Sequence, residues 1–217
     1  MKKRYIEAAI FDLDGTLVDS KKDIINSINY ILRTLGLKEK PGDLIQSYIG
    51  LGRDKLIADA LGHEVSPEAV AKANEIFDKH YNAHMFDHTR LFPGVPDILE
   101  YLKNKTLMIV TNKSRSLAVA TLKHFNIDKY FRKIVGGDDQ NCRKPDSCPI
   151  NHLLESINVP PDKAIIVGDS DIDIKAGRLA GILTCGLTYG IGRIEDIKKA
   201  NPDYILDDIH ALKNIIY

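Results

Sequence analysis

The stretch Ala8-Ala9-Ile10-Phe11-Asp12-Leu13-Asp14-Gly15-Thr16-Leu17-Val18-Asp19-Ser20 decides how the rest of the chain is read. From Ile6 to Phe11 the residues are nearly all apolar, and the run stops at two carboxylates one residue apart, followed by Gly and Thr. That is the pattern of a buried strand closed by a turn. Open parallel α/β sheets bind ligands beyond the carboxyl ends of their strands, so this strand is expected to deliver Asp12 and Asp14 to that edge. Two close carboxylates repel each other unless a cation or a proton lies between them. The pair therefore points to a hard cation with oxygen ligands, Mg²⁺ foremost. Asp-x-Asp-Gly equally fits an ordinary Asx-type turn after a strand, and the pair alone does not separate the two. An EF-hand is excluded, because Leu17 stands where the loop needs Gly and Asp23 where it needs Glu.

The rest of the chain sets bounds on that reading. Its 217 residues suffice for one substantial core and a smaller second domain. Lys plus Arg and Asp plus Glu both number 30, so the balanced charge argues against nucleic-acid or membrane-surface binding. No apolar run approaches the ~20 residues that span a bilayer. The basic start Lys2-Lys3-Arg4 leads only into the short strand, so a secretory signal is not expected. Cys142, Cys148 and Cys185 are odd in number and unclustered, which predicts no disulfide framework and fits a reducing cytoplasm. Cys142 and Cys148 flank Lys144, but no nearby His in the sequence would support a reactive thiolate.

After Ser20 the periodicity becomes helical. Ile24, Ile25, Ile28, Ile31, Leu32 and Leu35 share one face, with Gly36 as a stop signal. A second helical region, 43–61, is interrupted at Gly50-Leu51-Gly52, and a third starts at Ser66-Pro67, with Ser as N-cap and Pro at the first position. No strand pattern is evident between about residue 20 and residue 88. Beyond the break at Phe92-Pro93-Gly94-Val95-Pro96 the signals alternate. Strands are expected at 107–110, 133–135, 164–167, 182–187 and 204–206, with helices at 116–125, 149–157 and 171–180. Strands alternating with helices imply βαβ units and a parallel sheet. The fold class is thus α/β, a Rossmann-like core over 1–18 and 89–217 with a helical insertion over 19–88.

Four expected strand ends carry polar residues of a particular kind. The first offers Asp12 and Asp14, the second Thr111 and Asn112, the loop after the third Lys144, and the fourth Asp169 with Asp173 following. Taken singly, Thr111-Asn112 could cap a helix, Lys144 could be a solvated lysine, and Asp169-Ser170-Asp171 could serve a helix N-terminus. Together on one sheet edge they make a set for phosphoryl transfer, with a carboxylate nucleophile and cations that neutralise phosphate charge.

Asp12-x-Asp14-Gly-Thr-Leu-Val-Asp-Ser, Thr111-Asn112, Lys144-Pro145 and Gly168-Asp169-Ser170-x-x-Asp173 resemble, in order and spacing, the four motifs of the haloacid dehalogenase-like hydrolases. The insertion after the first motif resembles the small α-helical (C1-type) cap of that superfamily, and Pro93-Gly94-Val95, Val110-Thr-Asn-Lys113 and Gly186-Leu-Thr-Tyr-Gly190 resemble its phosphoglycolate phosphatases. The resemblance implies a catalytic pair, Asp12 as nucleophile and Asp14 as general acid and base. It implies Mg²⁺ held by the Asp12 carboxylate, the Asp14 backbone carbonyl and Asp169, with Thr111, Asn112 and Lys144 binding the phosphoryl group and Asp173 in support. The implied substrate is a small phosphorylated metabolite, 2-phosphoglycolate foremost, hydrolysed in the cytoplasm by a monomer or homodimer. A pyrophosphatase, a sugar-phosphate phosphatase or mutase, and a non-catalytic interaction protein that kept the fold are the alternatives. Related mutases usually carry a His a few residues after the first motif, where this chain reads Lys21-Lys22-Asp23-Ile24. Ser147 stands where relatives often carry Pro.

Substrate choice is expected in the insertion. Gly50-Leu51-Gly52-Arg53 resembles the cap loop that reaches the site, and Arg53 could offer its planar fork to a substrate carboxylate or simply begin a surface helix. Lys21, Lys22 and Lys113 are further candidates. Four histidines, at 63, 80, 84 and 88, fall in the insertion; the last three could share a helix face, as a metal pair does, but a packing or half-exposed face is the expected reading.

Overall fold

A computed structural model describes residues 3–62 and 66–217, so His63 lies outside the described residues. The chain separates into two compact units, Met1–Val18 with Leu91–Tyr217, and Asp19–Arg90.

The elements in chain order begin with β1 (Ala8–Phe11), β2 (Val18–Asp19), α1 (Lys21–Thr34), α2 (Gly42–Gln46), α3 (Arg53–Leu61), α4 (Pro67–His84) and β3 (Arg90–Leu91). They continue with α5 (Val95–Tyr101), β4 (Thr106–Val110), α6 (Arg115–His124), β5 (Phe131–Val135), α7 (Cys148–Ile157), β6 (Ala164–Gly168) and α8 (Asp171–Leu179). β7 (Leu183–Leu187), α9 (Ile194–Lys199), β8 (Tyr204–Leu206) and a terminal 3-10 helix, Ile209–Asn214, complete the chain.

Six strands form one sheet in the order β5-β4-β1-β6-β7-β8, and every neighbouring pair is parallel. β2 and β3 pair separately. β1 holds the middle, with Ala8 opposite Thr106 on one side and Ala164 on the other. Both faces of the inner strands are covered, which is why β1, β4 and β6 read as nearly continuous apolar runs. Ala9, Phe11, Leu107, Ile109, Ile165 and Val167 pack on one face with Ile98 and Leu99 of α5 and Ala118 and Leu122 of α6. Ala8, Ile10, Met108, Val110 and Ile166 pack on the other with Ile150, Leu153 and Leu154 of α7 and Ala176 of α8. This is a doubly wound, Rossmann-like sheet.

α5 was hidden in sequence behind Pro96. Pro is tolerated in the first turn of a helix because the amide it lacks has no intrahelical partner there. It therefore does not stop this one.

The second unit is helical. Ile24, Ile28, Ile31 and Leu32 of α1 are buried, as are Leu56 and Ile57 of α3 and Ala73, Phe77 and Tyr81 of α4. Ser66 caps α4, its hydroxyl accepting from the Ala69 amide at 3.3 Å. The carboxylate of Asp23, 2 % exposed, accepts from the His88 and Thr89 amides at 2.9 and 2.8 Å and from the Thr89 hydroxyl at 2.7 Å. His88 Nδ1 lies 2.8 Å from its other oxygen. α4 ends at His84, so His88 does not share its face, and the three-histidine alignment that the spacing allowed is not formed. His80 bonds Ser27 through Nδ1 at 3.0 Å and stacks on Tyr30 at 4.0 Å, while His84 Nδ1 meets Asp87 at 2.9 Å. No helix among the described residues is long and apolar enough to cross a membrane.

Candidate active site

Three neighbouring strands place the key residues. β1 ends at Phe11, and Asp12 continues the register, its amide donating to the Val167 carbonyl at 3.0 Å. β4 hands over to Thr111, whose amide donates to Val135 of β5 at 3.0 Å. β6 ends at Gly168, directly before Asp169. Because β1 lies between β4 and β6, Thr111 and Asp169 flank Asp12 at the carboxyl edge, the ligand-binding edge of such sheets.

The loop after Asp12 turns tightly. The Leu13 carbonyl accepts from the amides of Thr16, Leu17 and Val18 at 3.3, 2.9 and 3.1 Å. Gly15 sits at φ +88°, and a Cβ there would overlap the Asp169 carboxylate, so glycine is required on two counts. The Thr16 hydroxyl donates to Asp169 Oδ1 at 2.8 Å, and the Tyr189 hydroxyl donates to the Thr16 carbonyl at 2.8 Å. Asp169 Oδ2 accepts from the amides of Ile191 and Gly192 at 2.7 and 3.1 Å.

Lys144 is the largest buried polar side chain among the described residues, 2 % exposed. Its Nζ lies 2.8 Å from Asp12 Oδ1 and 2.6 Å from Asp173 Oδ1. Asp173, fully buried, gives its second oxygen to the Ser170 amide at 3.1 Å and hydroxyl at 2.6 Å, so α8 fixes it from below. Asn112 Nδ2 donates to the Lys144 carbonyl at 2.9 Å and so ties the lysine's loop to the end of β4. The Thr111 hydroxyl accepts from the Lys113 amide at 3.3 Å.

The electrostatics follow from burial. Burial pushes the Asp12 carboxyl up to about 6, against the pull of Lys144 and with help from the charge of Asp173. Burial and the charges of Asp173 and Asp12 push Asp169 up to about 7. Lys144 is held more firmly protonated than an ordinary lysine: burial opposes its charge, but Asp12 and Asp173 outweigh it.

Asp12, Asp169 and Asp173 form the one group of three possible metal ligands among the described residues, with ligand atoms all within 4.8 Å. Ionised, these three carboxylates face a single buried ammonium, an excess of two negative charges. Asp12 Oδ1 is buried and has no hydrogen bond of good geometry, although Lys144 is close by. An all-oxygen donor set with that charge suits a hard divalent cation. The Asp14 side chain stands apart from the group: it takes Lys113 Nζ at 3.0 and 3.1 Å on its two oxygens.

The set expected at the sheet edge is therefore brought together: Asp12, Asp14, Thr111, Asn112, Lys144, Asp169 and Asp173 all belong to the sheet-bearing unit. Sequence reasoning had placed Lys113 only among the peripheral candidates and missed its pairing with Asp14. Its position two residues past Thr111, at the same strand end, was the available signal. Arg53, Lys21 and Lys22 belong to the helical unit. Arg53 begins α3, and its guanidinium holds Asp78 through Nη1 at 2.8 and 2.6 Å and Asp54 through Nε at 2.9 Å.

One expectation is overturned. Cys142 and Cys148 are not isolated; their sulfur atoms are in bonding contact, because the loop carrying Lys144 folds back onto the start of α7. Cys185 is the free thiol, buried in β7.

Residues 9–187 match the haloacid dehalogenase-like hydrolases, and the chain belongs to that family. It is a phosphatase-type enzyme by its relatives. A phosphoglycolate phosphatase of Haemophilus influenzae is 36% identical, covering 95% of this chain and 96% of the relative. One of Aquifex aeolicus is 39% identical, covering 91% and 90%. A crystal structure from Haemophilus somnus, described as a predicted phosphoglycolate phosphatase, superposes with a TM-score of 0.91 at 32% identity, covering 96% of this chain and 97% of that one.

Proposed function

We propose that the chain hydrolyses a small phosphate monoester, 2-phosphoglycolate foremost, through a phosphorylated Asp12. The supporting observation is the placement of Lys144 between Asp12 and Asp173 at the head of the central strand. A nucleophilic carboxylate must meet a phosphate dianion, and a buried ammonium beside it lowers the repulsion and stabilises charge in the transition state.

In the proposed sequence an Asp12 oxygen attacks phosphorus, the ester P–O bond breaks, and Asp14 protonates the departing alkoxide. Asp14 then takes a proton from water as its oxygen attacks the phosphoryl group, which releases phosphate and restores the Asp12 carboxylate. Thr111, Asn112 and Lys144 orient the phosphoryl oxygens, and Asp173 positions Lys144. A divalent cation held by Asp12, Asp169 and the Asp14 carbonyl, Mg²⁺ in this proposal, would neutralise phosphate charge.

We assign the helical unit the role of the family's cap and Arg53 the recognition of a substrate carboxylate, for which it would exchange Asp78. The proposed setting is cytoplasmic, as monomer or homodimer. The test is kcat/KM over a panel of phosphate esters with Mg²⁺, with 2-phosphoglycolate expected to lead and chelation expected to remove turnover. A lead for pyrophosphate or a hexose phosphate would reassign the substrate. No turnover of any activated ester would overturn the catalytic reading.

A further inference from the structure

Cys142 and Cys148 bracket Lys144 on a single loop. Their Cα atoms are 6.4 Å apart, within the span a disulfide accepts, and their sulfurs are in bonding contact. Both residues are half-buried and so open to small reagents. Gln140 Oε1 lies 3.5 Å from Cys142 Sγ and 3.9 Å from Cys148 Sγ, and 3.1 Å from Nδ1 of His152, one turn along α7. The third cysteine, Cys185, is fully buried and takes no part.

Lys144 lies inside the ring that this pair closes. Its ammonium reaches Asp12 and Asp173, and its carbonyl is held by Asn112. The far side of the ring is Cys148, the first residue of α7, whose apolar face is packed in the core. Closing the ring therefore fastens the exposed arm, Asn141 to Arg143, to a fixed helix end. Opening it leaves the Lys144 loop held by Asp12, Asp173 and Asn112 without that covalent tie.

We propose that Cys142 and Cys148 are a reversible thiol–disulfide pair that staples the Lys144 loop and so raises affinity for the phosphoryl group. The effect on affinity rests on the role proposed above for Lys144. The oxidant is a low-molecular-weight disulfide such as oxidised glutathione. One protein thiolate attacks it, forming a mixed disulfide and expelling one small thiolate. The second protein thiolate attacks the protein sulfur of that mixed disulfide and expels the other. Two protein thiols lose two protons and two electrons, and one small disulfide becomes two small thiols. A loop ordered in advance binds without the cost of ordering it, so the stapled form has the lower KM.

The experiment equilibrates the full-length protein with Mg²⁺ in glutathione buffers of graded ratio. Thiols are trapped with a maleimide and counted by mass, and KM for p-nitrophenyl phosphate is measured at each ratio. Two thiols are expected to disappear together while KM falls about threefold, an effect typical of loop preorganisation. By linkage, saturating inorganic phosphate should move the thiol midpoint about threefold toward the disulfide, a readout that needs no turnover. Cys142→Ser/Cys148→Ser should keep the reduced-form KM in every buffer, and the wild-type comparison stands if that variant folds poorly. Thiols that stay reactive throughout overturn the inference, as does a disulfide that forms without altering KM or without a phosphate-shifted midpoint. Loss of turnover in both redox states, with the phosphate shift intact, would count against the catalytic reading alone.

Discussion

Lys113 Nζ lies 3.0 Å from Asp14 Oδ1, so the residue two positions past Thr111 clamps the second carboxylate of the first strand end. Both side chains are largely shielded, with 7% and 15% exposure, which makes the contact an orienting one rather than a solvated surface pair. Lys113→Met should leave Asp14 unaligned. Steady-state kinetics on p-nitrophenyl phosphate are expected to give a kcat lower by about 10–100-fold, part of the roughly 10²–10⁴-fold that positioned acid–base catalysis contributes, with a smaller change in KM.

Asp12→Asn should lose essentially all turnover, a drop of at least about 10⁴-fold, since an amide oxygen does not replace the attacking carboxylate. Its stability should hold or rise, because one of three mutually repelling, largely shielded carboxylates is neutralised. Urea unfolding with activity measured in parallel checks both halves; retained turnover would remove Asp12 from the chemistry.

Lys144→Met is expected to unfold at markedly lower urea. It leaves Asp12 and Asp173 without their shared cation, and an uncompensated buried charge typically costs about 3–5 kcal/mol. Adding Asp12→Asn to Lys144→Met should recover part of that loss, whereas independent effects would simply sum.

Asp23 gives the helical unit an acid-sensitive tie. Burial pushes its carboxyl up, but the bonds from the His88 amide, the Thr89 hydroxyl, the His88 ring and the Thr89 amide outweigh it and hold the folded value below the ordinary 3.8. The stability it adds is therefore complete above pH 3.8 and fades as pH falls below it through the lower folded value. Asp23→Asn should be less stable than wild type by about 2 kcal/mol near neutrality. In urea titrations that gap should close below the wild-type transition; a gap that persists at the acid end would show that the charge is not what matters.

Arg53 separates two roles by substrate. If its fork reads a substrate carboxylate, Arg53→Ala raises KM for 2-phosphoglycolate roughly tenfold or more, the scale of a charge-assisted bidentate contact, and leaves KM for p-nitrophenyl phosphate unchanged. An equal change for both esters would assign Arg53 to holding α3 against α4 through Asp78 alone.

The sheet was legible because its inner strands β1, β4 and β6 are buried on both faces and so spell themselves out as apolar runs, each ending in chemistry-bearing residues. Helices α1, α3 and α4 were legible from apolar spacing and from the Ser66-Pro67 start. Other features escaped for physical reasons. α9 and the two-residue strands β2 and β3 are too short for periodicity to register. α5 was masked by a proline in a position where proline does no harm. The pairing of Cys142 with Cys148 depends on how a loop folds back after its strand, which no pattern of residue types encodes, and the pairing of Lys113 with Asp14 left only a positional trace, two residues past Thr111. Nor does the pattern show that the Asn112 amide nitrogen also ties the Lys144 carbonyl.

The position of β1 in the middle of the sheet has a consequence for how the molecule comes into being. Its two neighbours are β4 and β6, and the Thr16 hydroxyl finds its acceptor 153 residues later, at Asp169. During synthesis the first strand thus emerges with neither edge satisfied, and Asp12 emerges long before the lysine that balances it. Such distant pairings are slow to form. A nascent chain shorter than about the end of β6 cannot complete the central strand trio, so folding of the sheet is held back until most of the protein has been made.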